Sequence, residues 1–346
     1  MLKKEIQVYK DGKENPNAYV YRRRKRSFNI NINFKRLFYN PKYTFYFYAI
    51  LVLMCIIGFL LFFNIVNYSE LYVNVAGSNG VKPVDSNFVI YYLDVGQGDS
   101  SIIICDDEVM VVDTSTTNHE NEIHNALYAL DIEKIDYLLI THQHDDHMGN
   151  AEYVIKNYSV TNIVMPSIGD GYDVEYEDYI NLLNTIGEYN VNPISASNIN
   201  SFNLGSASID ILSPNKNYDK LNNMSIVFKI TYGDTSFLFQ GDAEKQVEKQ
   251  LIDDGIDLSA DVIKIGHHGS NTSSTQNYLS YVDPSICVIS YGKNNYRHPN
   301  SNVIKRLDDE GVDVYLSYFH GNITMISDGQ TITVYTQKNG ETKIYK

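Results

Sequence analysis

The stretch "THQHDDHMGN", Thr141 to Asn150, places three histidines and two aspartates in six consecutive positions. Imidazole nitrogens and carboxylate oxygens are the usual protein ligands of zinc and its neighbouring divalent metals. The pattern His-x-His-x-Asp-His fixes four positions, three of them a scarce residue. A solvated loop would match it by chance rarely, on the order of one chain in a thousand. The stretch therefore predicts a metal site.

Outward from this stretch, the chain alternates short β-branched runs with helical patterns. "FVIYYLDV", "SIIIC", "VMVVDT" and "DYLLITH" read as strands, and "NEIHNALYAL" and "NAEYVIKNY" have helical spacing. Later strands are "NIVMP", "ASIDILSP", "SIVFKITYG", "TSFLFQGD", "ADVIKIG", "SICVISYG", "DVYLSY" and "TITVYT", and helices fit "EDYINLLNTIGEY", "AEKQVEKQLIDD" and "VIKRLDDEG". About 250 residues of mixed elements suggest one α/β domain. The polar motifs "DVGQGDS", "DTS", "THQHDDH", "QGD" and "GHHGS" each follow a strand, where sites in α/β folds are commonly built.

Ahead of this body the composition changes. The first 45 residues hold 12 Lys/Arg against 3 Asp/Glu, and the remainder 16 against 39, so a basic arm precedes an acidic body of net charge -23. "TFYFYAILVLMCIIGFLLFFNIV", Thr44 to Val66, has no charge and is long enough to cross a bilayer as one helix. Tyrosines crowd both its ends, as in an aromatic belt. The basic residues lie before it, so the positive-inside rule predicts a cytoplasmic arm and an extracellular body on a single-pass anchor in the cell membrane. The expected layout is an arm over 1–43, a transmembrane helix over 44–66, a Gly/Ser/Asn-rich stalk over 67–87, a body over 88–338 and a C-terminal tail over 339–346. Cys55 lies in the span, and Cys105 and Cys287 sit in apolar runs as buried thiols rather than a disulfide framework.

The motifs, in this order, resemble a metallo-β-lactamase-fold hydrolase. "HQHDDH" at His142 to His147 is that fold's signature. "LDVGQGDS" at Leu93, "NNMSIV" at Asn222, "QGDAE" at Gln240, "VIKIGHHGS" at Val262 and "SYGKNNYRHP" at Ser290 narrow the similarity to the hydrolase domain of the ComEC-like competence proteins. The resemblance covers roughly Phe88 to Gln337 and implies a four-layer αβ/βα sandwich with the site at one edge of two sheets. It implies His142 and His144 on one metal, Asp146 and His147 on a second, Asp242 bridging both, and a further ligand from His267 or His268. A bridging carboxylate suits two cations about 3.5–4 Å apart that generate a hydroxide nucleophile. The cofactors expected are therefore two divalent ions, zinc or manganese. The wider fold uses another histidine before the bridging aspartate, yet this chain has none between His147 and His267. An Asn/Ser segment stands there instead, and amide oxygen suits harder cations, so one ion is expected to be loosely held.

Around the ligands, Asn223, Ser225, Lys293 and Arg297 are candidate substrate contacts, with basic donors for phosphate oxygens. Asp146 and His298 are candidate catalytic residues, His298 as the group that protonates a leaving group. Gly96 and Gly98 fit tight turns beneath the site, and Asp94, Asp99 and Asp113 fit loop anchors. His119, His124 and His320 fit surface or satisfied core positions. The first function this supports is a membrane-anchored extracytoplasmic phosphodiesterase or nuclease, with single-stranded DNA as substrate and a separate channel protein as partner, because one span cannot form a channel. The acidic body, with only Arg297 and Arg306 as arginines, lacks the basic track that polyanion binding favours. A phosphorylcholine esterase or other cell-envelope phosphodiester hydrolase is the second reading, since an acidic, Tyr-rich surface suits a cationic head group. A non-catalytic metal-binding module is the third.

Overall fold

In the first strand of the body, Phe88, Ile90 and Tyr92 pack into one apolar cluster, while Val89 and Tyr91 pack into another. All five side chains are buried. A strand alternates its side chains between two faces, so a strand buried on both faces reads as an unbroken apolar run. That is the physical content of "FVIYY".

The computed structural model describes residues 41–62 and most of 81–345. The residues before 41, most of the stalk, and positions 83, 85, 169–171, 173–175, 339, 341 and 346 lie outside the described residues. Two compact units are distinguished, 1–68 and 69–346. In the first unit, helix α1 (Pro41–Phe62) covers most of the expected span. Its side chains are described over Phe45–Cys55, and all of these are exposed. Among the described residues no helix is long and apolar enough to cross a membrane. The crossing expected over Thr44–Val66 therefore rests on the sequence.

The second unit begins with β1 (Phe88–Tyr92), β2 (Ser101–Cys105), β3 (Glu108–Val112), β4 (Lys134–Leu139), β5 (Ser159–Met165) and β6 (Asn192–Ser195). It continues through β7 (Ser201–Leu204), β8 (Ala207–Ser213), β9 (Val227–Tyr232), β10 (Thr235–Phe239), β11 (Val262–Lys264), β12 (Ile286–Ile289) and β13 (Asp313–Leu316). The chain then returns through β14 (Ile323–Ser327), β15 (Ile332–Thr336) and β16 (Thr342–Tyr345). One sheet has the order β16-β15-β14-β1-β2-β3-β4-β5-β6 and the other β13-β12-β11-β10-β9-β8-β7. The inner cluster, with Phe88, Tyr92, Phe228, Phe237 and Phe239, lies between the sheets. Helices α2 (Glu120–Ala129), α3 (Asp145–Met148), α4 (Ala151–Asn157) and α5 (Tyr176–Glu188) follow strands of the first sheet. Ile123, Leu127, Val154, Ile155, Leu182 and Ile186 of these helices bury with Val89, Tyr91 and Ile102. Helices α6 (Lys245–Asp253), α7 (Gln276–Val282) and α8 (Ser301–Asp309) supply Val247, Leu251, Leu279, Val303 and Leu307 to a third cluster, with Leu238, Ile263 and Cys287. A last turn of helix, α9 (Ser317–His320), leads into β14. The layers are thus helix, sheet, sheet, helix, a mixed α/β architecture with three apolar seams.

Two expected boundaries are corrected. β16 pairs antiparallel with β15, Ile332 opposite Tyr345 through Tyr335 opposite Thr342, so the segment read as a tail after 338 is an edge strand of the sheet. At the other end Val81 is buried in the second cluster, and Tyr91 Oη donates to the Lys82 carbonyl at 3.0 Å, so the stalk region ends docked on the body. Strands β6 and β7 had no expectation attached to them. "NPIS" and "SFNL" are short, half-exposed edge segments whose apolar pattern is too brief to read. Cys105 and Cys287 are buried free thiols.

Candidate metal centre

β3, β4 and β5 run parallel, as do β10, β11, β12 and β13. The ligand motifs leave the carboxyl ends of β4, β10 and β11, the ends at which open α/β sheets place their sites. Past β4, Thr141 donates its backbone N–H to Asp113 Oδ1 at 2.7 Å and its hydroxyl to Asp113 Oδ2 at 2.8 Å. That pins the loop before it enters α3, with His144 at the helix start. Asp99 N donates to the Asp146 carbonyl at 3.0 Å. This close approach explains Gly98, where a Cβ would stand 2.5 Å from Ser115 Oγ and 2.8 Å from the Asp146 carbonyl oxygen.

The motif side chains converge on Asp242, which is buried just beyond β10. His147 Nε2 lies 3.3 Å from Asp242 Oδ1, and His268 Nε2 lies 3.9 Å from the same oxygen. His142 Nε2 and His267 Nε2 lie 3.9 and 3.6 Å from Oδ2. His144 Nδ1 is 2.9 Å from His142 Nε2, and Asp146 Oδ2 is 3.2 Å from His268 Nε2. The outward nitrogens are held by neighbours. His147 Nδ1 meets Asp113 Oδ2 at 2.8 Å, and His268 Nδ1 meets the Ser290 carbonyl at 3.1 Å. Such outer partners fix the tautomer and aim of a ligating imidazole.

These residues fit a metal. His147 Nε2 and Asp242 Oδ1 are buried and find no hydrogen-bond geometry, which is costly in a polar group without a further partner. Burial drives His142 well below, and His144 below, the ordinary histidine pKa, so both are neutral donors at neutral pH. Burial also opposes charge on His268, yet Asp242, Asp99 and Asp146 push it up to about 9. His147 is raised well above the ordinary value against the same burial, by Asp242 and Asp113. The carboxylates of Asp242, Asp113, Asp99 and Asp146 thus favour positive charge in the cluster, which divalent cations can supply. Sets of donor atoms close enough to share an ion are His142, His147 and Asp242; Asp146, His147 and His268; and Asp99, Asp113 and His147. Nitrogen and carboxylate donors of this kind suit zinc or manganese.

Residues 93–293, more than half of the chain, match the metallo-beta-lactamase superfamily. The chain belongs to the metallo-beta-lactamase superfamily. It is 28% identical over 251 residues to ComE operon protein 3 of Bacillus subtilis, covering 67% of this chain and 32% of that protein. It is 29% identical over 222 residues to Recombination protein 2 of Haemophilus influenzae, covering 62% of this chain and 26% of that protein. The chain thus spans about a third or less of these curated relatives. Among solved structures, the metallo-beta-lactamase fold protein YhfI of Bacillus subtilis is 12% identical with a TM-score of 0.47, covering 68% of this chain and 98% of that one.

Within this superfamily site, several expected substrate contacts take other roles. Asn223 is buried; its Oδ1 accepts from Glu244 N at 2.9 Å and its Nδ2 donates to Gln246 Oε1 at 3.2 Å, so it anchors the start of α6. Ser225 is buried, and its Oγ accepts from Asp242 N at 3.0 Å, so it holds the backbone of Asp242. Arg297 is exposed and does not line the cleft beside the ligands. Lys293 does. It borders a cleft of about 590 Å³ with Gly96, Gln97, Asn118, Asp146 and Tyr296.

His298 stands beside the ligands, its ring centroid 5.4 Å from that of His267, and stacks on Tyr296. Burial first, then His267 and His268, hold its pKa down to about 4. A ring that is mostly neutral at neutral pH favours a hydrogen-bonding role beside the expected one of protonating a leaving group. His119 lines the cleft rather than an open surface, whereas His124 meets Tyr158 Oη at 3.0 Å and His320 Nδ1 accepts from Leu316 N at 2.9 Å.

Lys264 had no expectation attached to it. It is buried and donates to both oxygens of Asp99, at 2.8 and 2.9 Å, and Asp99 lies 3.6 Å from His268 Nδ1. The signal was present in "VIKIG", a lysine inside an otherwise apolar buried strand, which demands a buried partner.

Proposed function

We propose that this chain is a metal-dependent phosphodiesterase that acts on DNA, its body held outside the cell membrane by a single span over Thr44–Val66. The observation that carries the reading is the ligand cluster around Asp242 opening beside a cleft bordered by Lys293. When bound, two divalent ions would supply Lewis-acid activation of water and neutralise charge developing on a phosphoryl group. The chain's own residues do the rest. Asp113, Ser290 and Thr141 aim the imidazoles, Lys293 offers a cation to a phosphate oxygen, and His298 offers a neutral ring nitrogen beside them. A relative named for recombination, Recombination protein 2, favours DNA over other phosphodiesters.

The net charge of -23 on the residues after 45 argues for contact with few phosphates rather than a long duplex track. Single-stranded DNA, delivered through a separate channel protein, fits that constraint. A second reading is favoured by Tyr296 and Asp145, which border the same cleft and suit a cationic choline head group. The two are separated by assaying the full-length chain on a single-stranded oligonucleotide and on a phosphorylcholine ester, each with manganese and with zinc. DNA cleavage abolished in Asp242→Ala supports the first reading. Turnover of the ester alone transfers the assignment to the second. Metal uptake with no turnover of either substrate would leave a binding module.

A further inference from the structure

The cleft of about 590 Å³ beside the ligands is walled by loops from both sheets. Gly292 N donates to Gln97 Oε1 at 3.3 Å, and a Cβ on Gly292 would stand 2.5 Å from Gln97 N, so the loops after β1 and β12 touch backbone to backbone. Asn294 ties the second of these loops to itself. Its Nδ2 donates to the carbonyls of Gly292 and His298 at 2.9 and 2.8 Å, and its Oδ1 accepts from His298 N at 3.1 Å. Lys293 and Tyr296 stand on this braced loop, exposed, at the border of the cleft. One face of the Tyr296 ring lies against His298, with centroids 5.8 Å apart and planes at 30°. The residue is 73% exposed, so the opposite face is open.

We propose that this cleft is a nucleotide subsite, in which the open face of Tyr296 stacks on an unpaired base while Lys293 meets a phosphate oxygen of the same strand. Asn118 and Thr116, which also border the cleft, offer an amide and a hydroxyl to the edge of the base. The ligand is a single strand, because in a duplex both faces of a base are covered by its neighbours. The subsite rests on the reading of the chain as a phosphodiesterase acting on DNA, and it names the residue that recognises a base.

Three observations support a base as the occupant. First, an aromatic side chain this exposed contributes little apolar burial to the fold, yet its loop is braced by three hydrogen bonds through Asn294. Arg297, next in sequence, has φ of 65°, a left-handed conformation that side chains rarely adopt, and it turns the chain so that the Tyr296 and His298 rings stack. Backbone strain of this kind clusters at active sites and ligand clamps. Second, Tyr296 is two ring contacts from the ligand cluster. Its neighbour His298 lies 5.4 Å from the His267 ring, and His267 Nε2 lies 3.6 Å from Asp242 Oδ2. A base on Tyr296 therefore belongs to a nucleotide adjoining the phosphate at the cluster. Third, every base has a π-face, and stacking on it supplies affinity without a basic track, which suits a net charge of -23 on the residues after 45. A cationic head group is the poorer occupant, because Lys293 borders the same cleft and repels it.

The test is turnover by the full-length chain, with manganese, of two substrates that share a leaving group. The nitrophenyl ester of thymidine monophosphate carries a base, and methyl nitrophenyl phosphate carries none. Tyr296→Ala should lose roughly 5–150-fold more kcat/KM on the first than on the second, the worth of one base–aromatic stack. Tyr296→Phe keeps the stacking face and should close that gap. Damage to the loop or to His298 would fall on both substrates alike, so the difference separates stacking from structure. Inhibition of methyl-ester turnover reads the same contact through binding. Thymidine monophosphate should inhibit the wild type more tightly than inorganic phosphate, and Tyr296→Ala should erase most of that margin, whereas Lys293→Ala should weaken both inhibitors. Equal losses of Tyr296→Ala on the two substrates, or equal inhibition of the wild type by the two anions, would overturn the subsite alone. A wild-type chain that cleaves a phosphorylcholine ester but no nucleotide ester or oligonucleotide, or that cleaves none of these, would overturn the DNA reading and the subsite with it.

Discussion

Lys264 and Asp99 show how single residues hold the site from behind. Both are buried, and their pairing fixes the loop that carries Asp99 against the strand that delivers the histidines. Burial most strongly pushes the Asp99 pKa up, yet Lys264, with His268 and His147 behind it, together hold the carboxyl below its ordinary range. Lys264→Met would leave that charge buried and unpaired. It should destabilise the chain by about 3–5 kcal/mol in urea unfolding, whereas Asp99→Asn/Lys264→Met should recover much of that loss. A single-variant loss under about 1 kcal/mol would sink the account. His298 makes a different prediction. Its Nδ1 is buried with no hydrogen-bond partner, and the ring is neutral at neutral pH. His298→Ala should keep metal and fold and slow turnover by roughly 10–100-fold, the worth of one hydrogen bond to a charged group. The loss should be equal for substrates with good and poor leaving groups. A loss that shrinks with a good leaving group would restore the proton-donor role.

Elements position these residues because parallel strands end together. β10, β11 and β12 present their carboxyl ends side by side, and β4 does so in the other sheet. Four loops distant in sequence therefore meet without long excursions. The edges of the sheets matter too. β16 covers β15, and Tyr345 Oη meets Tyr315 Oη of the opposite sheet at 2.7 Å. Truncation after Lys338 would uncover the β15 edge and remove that bridge. Burial of one such side chain is worth about 1.5–3 kcal/mol. At ~2–4 °C per kcal/mol for a domain of this size, the melting temperature should fall by roughly 3–12 °C in calorimetry. An unchanged melting temperature would reduce β16 to an ornament of the edge.

At the scale of the molecule, charge divides the chain. A basic arm, an uncharged span and an acidic body lead to the proposed orientation, arm inside and body outside. Protease added to intact cells should remove the body and spare the arm; a protected body with a digested arm would reverse the topology. How far the site was legible follows from where its information lies. "HQHDDH" is local, so His142, His144, Asp146 and His147 could be named from spacing and from the scarcity of histidine. The buried strands were legible because apolar runs covered on both faces have no polar alternation to obscure them. Asp242 and the "GHHGS" pair came from resemblance. What the chain order could not express was pairing at a distance: Lys264 with Asp99, 165 positions apart, or the side of Asp242 that each neighbouring histidine faces. Asn223 and Ser225 had the residue types of substrate contacts, and only packing turned them inward. Residue type and local period fix which chemistry is available and which segments are buried. The packing of two sheets and the left-handed turn at His267 decide which atoms meet.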